Sequence, residues 1–243
     1  TGVQTCALPI YACLAAVAAQ EDVHAETILV DNASTDGTAD YVRAAYPWVR
    51  IVPLARNEGF AGGNNRGVAA ARGRFVALLN NDTVADPRWL RTLVDGVDEA
   101  AGFALVTSRV VYMHDPGVID SAGDGFLRWG GAYKRLHGAP SSEASDTTEV
   151  FGVCGGACAV RRRVFEELGG FDDTFFFSHE DVDLSYRARL LGYRCWYVAE
   201  AVVEHHGSGT SGRTSAFAVR HAQRNAEWLY LKNTPGVLLA KSI

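Results

Sequence analysis

Short apolar runs alternate along this chain with polar, glycine-containing breaks. The sharpest is Phe75 to Leu79, which follows Gly73 and stops in Asn80, Asn81 and Asp82, with Asp86-Pro87 beyond. A run bounded in this way reads as a buried strand feeding a loop. Thr27 to Val30 is a second run; it ends in Asp31 to Thr38, where Ser34 or Asp36 can cap a following helix and Gly37 relaxes the turn. Val49 to Leu54 is a third, leading into RNEGFAGGNNRG (Arg56 to Gly67) and an Ala-rich helix to Arg72. Tyr11 to Gln20 suits a helix packed on a sheet. Strand, helix, strand, helix, strand, with polar ends on one edge, predicts a parallel, doubly wound α/β sheet that binds a nucleotide.

Beyond Pro87 the pattern predicts a helix from Arg88 to Glu99 that buries Leu90, Leu93, Val94 and Val97, then a strand from Phe103 through Val111. Residues His114 to Glu149 are rich in Gly, Ser, Asp and Pro, with Trp129 and Tyr133 as large anchors. So long a loop in a compact domain is a lid or acceptor loop, or else disordered. A turn at Gly155 and Gly156 precedes a helix from Arg161 to Leu168. In Phe175 to Arg194, Ser178 and Asp181 have the outline of a capping box and Gly192 suits a helix end. Leu184, Ala188 and Leu191 share a face there, with Asp181 one turn earlier on much the same side; Asp183 and Arg187 read as an ion pair. Cys195 to Val198 and Ala201 to Val203 read as strands ending in EHHGSGTSG, and Phe217 to Lys232 as a final helix.

Composition narrows the class. With 243 residues, 48% hydrophobic and 21% charged, the chain can bury a full α/β core. A net charge of −5 gives no support for a nucleic-acid surface, which leans on clustered Lys and Arg. No apolar run approaches the roughly 18 residues that span a bilayer. The five cysteines are unevenly spaced and make no disulfide framework. Cys154 and Cys158 read as buried thiols, and a reduced cytoplasmic setting follows. The last helix fits either core packing or peripheral contact with the inner face of a membrane. Residues 1–10, TGVQTCALPI, resemble the translation of a sequencing adapter and are set aside from fold reasoning.

Several polar residues are candidates for chemistry, each with a plain alternative. Asp82, at the carboxyl end of its strand, can hold a divalent metal against a diphosphate or simply form a turn. Asp31 has the same two readings. Glycines 59, 62 and 63 offer a backbone cradle for a diphosphate or a flexible packing turn. Asp181 is a helix cap or a catalytic group. His205 and His206 can add an imidazole to a metal.

In this order, VDNASTDGT, NEGFAGGNNRG, LLNNDT, GGACAVRRRVFEELGGFDDTFFFSHEDVDLSYRARLLGYR and VVEHHGSGTSG resemble the inverting family 2 glycosyltransferases of GT-A fold, most closely their rhamnosyltransferase-like branch. The resemblance covers nearly the whole chain from Tyr11. It implies a Rossmann-like mixed sheet in residues 11–215, with a nucleotide-binding half (11–112) and an acceptor and catalytic half (113–215). Residues 216–243 form a helical segment. The expected first strand is absent ahead of Tyr11, and the carboxyl end looks cut short.

The resemblance also implies roles. Asp31 contacts the donor base, Asn57 and Asn65 lie in the loop lining the nucleotide, and Asn80 and Asp82 stand where the family has its D-x-D motif, with Asn in place of the first acid. His205 completes the shell of a Mg²⁺ or Mn²⁺ ion, with His206 as the alternate. Asp181, in the pair Glu180-Asp181, is the general base; Gly155 and Gly156 admit donor or acceptor, and Trp129 stacks on an acceptor sugar. The implied partners are a dTDP- or UDP-linked sugar and a glycan or lipid-linked acceptor. Two rivals stand beside this: a nucleotidyltransferase, in which Asp181 has no role, and a catalytically weak homologue, to which Asn80 points.

Overall fold

A computed structural model describes residues 8–97, 102–128, 130–207 and 215–239. In it the apolar runs become strands with helices on their faces. The first half comprises α1 (Leu8–Ala18), β1 (Thr27–Asp31), α2 (Thr38–Ala45), β2 (Val49–Pro53), α3 (Gly59–Ala70), β3 (Phe75–Leu79), β4 (Thr83–Ala85), α4 (Trp89–Asp95) and β5 (Phe103–Tyr112). The second comprises β6 (Asp115–Ser121), β7 (Asp124–Phe126), β8 (Ala132–Lys134), β9 (Thr148–Val150), β10 (Ala157–Arg161), α5 (Arg162–Glu167), α6 (Glu180–Leu190), β11 (Arg194–His205), α7 (Ala216–Asn233) and α8 (Gly236–Leu239).

The main sheet is mixed, where strand order alone predicts a parallel one. Its order is β3-β10-β5-β11-β4, with β6 joined to β5 and β9 to β11. Only β5 and β11 run parallel within it; β10 lies antiparallel between β3 and β5. Periodicity fixes which face a strand buries and says nothing of its direction. A separate parallel pair joins β1 to β2. Both β1 and β3 line a cavity of about 540 Å³ whose wall includes Leu14, Ile28, Leu79 and Leu90.

Alternation along the strands divides the core. Val76 and Leu78 of β3 and Cys158 and Val160 of β10 face α3, α5 and α6 through Val68, Phe165 and Leu184. Ala77 and Leu79, with Ala157 and Ala159, face the opposite way onto Trp89 and Leu93 of α4. The indole N–H of Trp89 donates to Ser108 Oγ at 2.8 Å, so this buried ring leaves no donor unmet.

Four local expectations change. The glycine-rich stretch after Asn57 is the body of α3 rather than a loop. At Gly59, with φ of +72°, a Cβ would collide with the Phe176 carbonyl, and at Gly67 it would stand 3.0 Å from Val30; close packing, not flexibility, selects these glycines. Residues 114–149 hold four short strands instead of one long loop, because Ile119 pairs back onto Val111 of β5 and Val118 bridges to Pro140. The capping box does not form: His179 is the N-cap residue, at φ 73°, and Ser178 bonds the His179 ring. Leu191 is exposed, and the two predicted late strands are one bulged strand, β11.

The final helix α7 buries Ala218, Asn225, Leu229 and Asn233 and leaves Phe217, Trp228 and Leu231 exposed. Among the described residues no helix is long and apolar enough to cross a membrane. Two ion pairs anchor the end of α7: Lys232 Nζ lies 2.6 Å from Asp172 and 3.1 Å from Asp183. Burial works to raise the Asp172 pKa, but Lys232 and two Thr174 donors outweigh it and bring it from 3.8 to about 2. A depressed carboxylate contributes stability above its unfolded pKa and loses it as pH falls through the folded one. Acidification from roughly pH 4 to pH 2 should therefore remove about 1 kcal/mol, a figure discounted for solvent screening. Urea melts at several pH values, run beside Asp172→Asn, check this; an equal acid loss in the variant would refute it.

Candidate active site

A cavity of about 360 Å³ collects the ends of several elements: Asn80 and Thr83 around the β3–β4 turn, Asp120 of β6, Lys134 of β8, Asp181 of α6 and His205 at the end of β11. The sheet register explains the meeting. His205 pairs with Thr83, so its ring comes to Asp82 next door.

His205 stands between two carboxylates. Its Nε2 is 3.3 Å from Asp82 Oδ2, and its Nδ1 is 2.7 Å from Asp120 Oδ2. Asp120 is almost wholly buried and also accepts from Lys134 Nζ at 3.0 Å. Burial alone would lower the His205 pKa; the two carboxylates outweigh it and raise it to about 9. Conversely, His205 and Lys134 hold Asp120 below the usual carboxylate range despite burial, and His205 does the same for Asp82. With Nδ1–H committed to Asp120, Nε2 is the nitrogen that could face a cation, which would displace the proton Nε2 shares with Asp82. Among the described residues no cluster of three or more metal-ligating side chains is assembled. The set on offer is one carboxylate and one oriented imidazole, which fits a cation that takes its remaining ligands from phosphate oxygens and water.

Asp181 sits in the first turn of α6. Its Oδ2 accepts from Gly155 N–H at 2.9 Å and its Oδ1 from Val182 N–H at 2.9 Å. Each oxygen retains a lone pair for an incoming hydroxyl. A Cβ at Gly155 would stand 3.2 Å from Asp181 Cβ, and one at Gly156 would stand 3.1 Å from Asn80 Nδ2; these glycines keep room for Asp181 and Asn80. Glu180, beside Asp181, is different. Its Oε2 is buried with no hydrogen-bond partner, and burial followed by repulsion from Asp181 pushes its pKa to about 8. Asp124 is driven well above the carboxylate range by the same two causes. The cavity therefore presents ionised carboxylates toward His205 and protonated ones beside Asp181.

Other candidate residues stand apart. Asp31 and Asn57 do not line this cavity and serve as turn residues: Asp31 Oδ1 accepts from Ser34 N–H, and Asn57 Oδ1 accepts from Gly59 N–H. Asn65 lies in α3 rather than in a loop, and its amide is committed to Phe171 and Asp173. His206 is exposed and donates its backbone N–H to Asp82 O. Trp129 lies outside the described residues. Asp120, Asp124 and Lys134 were not singled out from sequence. Their signal was Val118-Ile119-Asp120, an apolar pair stopped by an acid like the ends of β1 and β3.

Comparison with known proteins fits this geometry. A family model of glycosyl transferase family 2 matches residues 5–169. The chain belongs to that family. An N-acetylglucosaminyl-diphospho-decaprenol L-rhamnosyltransferase of Mycobacterium tuberculosis is 27% identical over 241 residues, covering 83% of this chain and 76% of the relative. Polypeptide N-acetylgalactosaminyltransferase 10 of Mus musculus is 30% identical over 183 residues, 70% of this chain and 30% of the relative. The mannosyltransferase PcManGT of Pyrobaculum calidifontis, solved with GDP-Man and Mn²⁺, shares the fold at a TM-score of 0.69 and 18% identity, over 97% of this chain and 66% of that one. GalNAc-T7, solved with UDP, GalNAc and Mn²⁺, does so at 0.63 and 16% over 85% of this chain. This chain spans 41% of GalNAc-T7. The family 2 chain is thus a transferase of GT-A fold.

An acid with a raised folded pKa binds more protons folded than unfolded, so Glu180 lowers stability as pH rises from 4.5 toward about 8. Glu180→Gln should raise the melting temperature at pH 7 by roughly 2–4 °C, about 1 kcal/mol for a chain of this size, with the two melts converging below pH 4.5. Calorimetric scans across pH measure this; a destabilised Glu180→Gln at pH 7 would count against a strained acid.

Proposed function

We propose that this chain transfers a sugar, with inversion, from a nucleoside-diphosphate donor to a hydroxyl of a glycan or lipid-linked acceptor. The observation that carries the proposal is the convergence on one cavity of the backbone-held Asp181 carboxylate and the His205 ring that abuts Asp82.

A sugar hydroxyl attacks only when a base within hydrogen-bond reach takes its proton. Asp181 is that base: two backbone N–H groups fix its orientation. Burial with repulsion from Asp181 raises the pKa of Glu180 to about 8 and raises that of Asp124 as well, which limits the negative charge beside the base. Asp82 and His205 would hold a divalent cation, which when bound neutralises charge on the departing diphosphate. Asp120 orients the imidazole by accepting from Nδ1, and Lys134 holds Asp120 in place. In-line attack opposite the leaving group inverts the anomeric centre.

L-rhamnose on a dTDP or UDP carrier is the first donor to assay, given the named activity of the M. tuberculosis relative. Mn²⁺ is the first cation, given its presence with PcManGT and GalNAc-T7. A nucleotidyltransferase reading leaves Asp181 without work, and nothing in the cavity favours it.

Asp181→Asn should lower kcat for transfer by about 10²–10⁴ while leaving nucleoside-diphosphate binding intact. Product anomer analysis by NMR and calorimetric titration of UDP and dTDP with and without Mn²⁺ check the two halves; a retained anomer or an active Asp181→Asn would sink the mechanism. Asp82→Ala should abolish the Mn²⁺ dependence of that binding. Asp120→Asn should weaken Mn²⁺ by about 10- to 100-fold, the loss typical of a partner that orients a ligating His. Unchanged affinity in the same titration would assign Asp120 to packing alone.

A further inference from the structure

The residues just before Asp181 adopt a backbone that needs support from outside. Phe176, Ser178 and His179 have φ of 60°, 73° and 73°, the left-handed region that side-chain-bearing residues rarely adopt. Local hydrogen bonds hold it in part, Phe177 N–H donating to Phe175 O at 2.6 Å and Ser178 Oγ meeting the His179 ring, but no capping box closes and His179 caps α6 without a side-chain bond. The carbonyls of this stretch turn instead toward α7. Asn225 Nδ2 lies 2.9 Å from Phe175 O, 2.8 Å from Phe177 O and 2.7 Å from Ser178 O. Two N–H bonds are thus shared among three carbonyls. Arg224 adds Nη2 contacts of 3.0 Å to Thr174 O and 3.1 Å to Phe175 O, and its Nε donates to Asn225 Oδ1 at 2.9 Å, which fixes the orientation of the amide.

Asn225 is fully buried, so water cannot replace those donors. The rings of Phe217 and His221, two turns and one turn earlier on α7, pack against Phe176. From the other side, Phe60 N–H at the start of α3 donates to Phe176 O at 2.7 Å. The stretch is therefore gripped between α3 and α7, and Glu180 and Asp181 follow it without a break.

We propose that Asn225 is a positioning residue for the reaction: with Arg224, it holds the Phe175–Ser178 carbonyls so that the Asp181 carboxylate faces the cavity. The proposal rests on Asp181 being the general base, as argued above. It gives α7 a task apart from covering the core, and it explains why a polar residue occupies a fully buried position of that helix. An apolar residue there would take the amide donor from Phe177 O and Ser178 O and one of several donors from Phe175 O, and an aspartate would set acceptors against acceptors.

Two readouts on the full chain test it. In Asn225→Ala, peptides covering residues 174–183 should exchange amide hydrogen about 10-fold faster, with β5 unchanged. In the same protein kcat for transfer should fall about 10- to 100-fold with donor KM within about twofold, the signature of a misplaced base. Leu229→Ala, which loosens the packing of α7 on Phe175 and Val182 without touching the carbonyls, should lower the melting temperature and keep kcat below it. Arg224→Ala, at a less buried position, should give the same changes as Asn225→Ala in smaller measure and serves if Asn225→Ala does not fold. Unaltered exchange, or faster exchange with full kcat, or a Leu229→Ala protein that loses kcat equally, overturns the assignment. An active Asp181→Asn overturns the base instead, and the exchange result still decides the grip of α7 on the loop.

Discussion

The backbone ladder between β3 and β10 carries the geometry of the cavity. Leu79 pairs with Ala157, and one step further Asn80 N–H donates to Gly156 O at 2.8 Å. The next residue along β10's approach, Gly155, turns its own N–H to Asp181 at 2.9 Å. The turn that bears the proposed cation site and the helix that bears the proposed base are therefore joined by one backbone–backbone hydrogen bond, one peptide unit and a backbone N–H that donates to the Asp181 carboxylate. Side chains at 155 or 156 would crowd Asp181 and Asn80, so both positions are glycine for reasons of contact rather than mobility. A link made of main chain is stiff, and stiffness is what a base aimed at a sugar hydroxyl requires.

Charge around that link is sorted by partner. Burial penalises the carboxylates of Asp82, Asp120, Glu180 and Asp124 alike. His205 offsets it at Asp82, and His205 with Lys134 at Asp120, whereas at Glu180 and Asp124 repulsion from Asp181 adds to it and outweighs the pull of Lys134 on Asp124. The first pair stays ionised and the second takes up protons. Asp120, Asp124 and Glu180 of the cavity, with Asp82 beside it, can coexist around Asp181 in this way without each carrying a full negative charge, and Asp82 and Asp120 lie on the side where a cation would sit.

The elements of the first half were legible in the sequence because each apolar run there is punctuated. Phe75 to Leu79 is β3 to the residue, and Val49 to Leu54 overshoots β2 by one. Asp82, His205 and Asp181 were legible as candidates only through their order within a family resemblance; singly, Asp82 read equally well as a turn, Asp181 as a cap and His205 as incidental. What could not be read was anything set by a distant partner. The glycines of α3 read as a loop because their helix is stabilised by Val30 and Phe176, far off in sequence. Asp120 was passed over because its meaning comes from His205, 85 residues away. Asn225 was invisible for the same reason, its three acceptors lying about 50 residues before it.

The aim of His205 shows how a departure from regular structure can be the functional feature. Strand β11 follows β5 in register to Val198 opposite Ser108, then resumes with Val202 opposite Arg109. Three residues, Ala199 to Ala201, are looped into the ladder as a bulge. Because side chains alternate faces with a period of two, an odd insertion reverses the face that every later residue presents. Had the strand run straight, Val202 rather than His205 would stand opposite Tyr112, and the imidazole would fall beyond β5 altogether. The bulge costs hydrogen bonds in mid-sheet, where strands are otherwise continuous, and Ala199 recovers one by donating its N–H to Thr147 Oγ1 at 2.9 Å. A sheet built for stability alone has no use for that interruption; one that must bring an imidazole between Asp82 and Asp120 does.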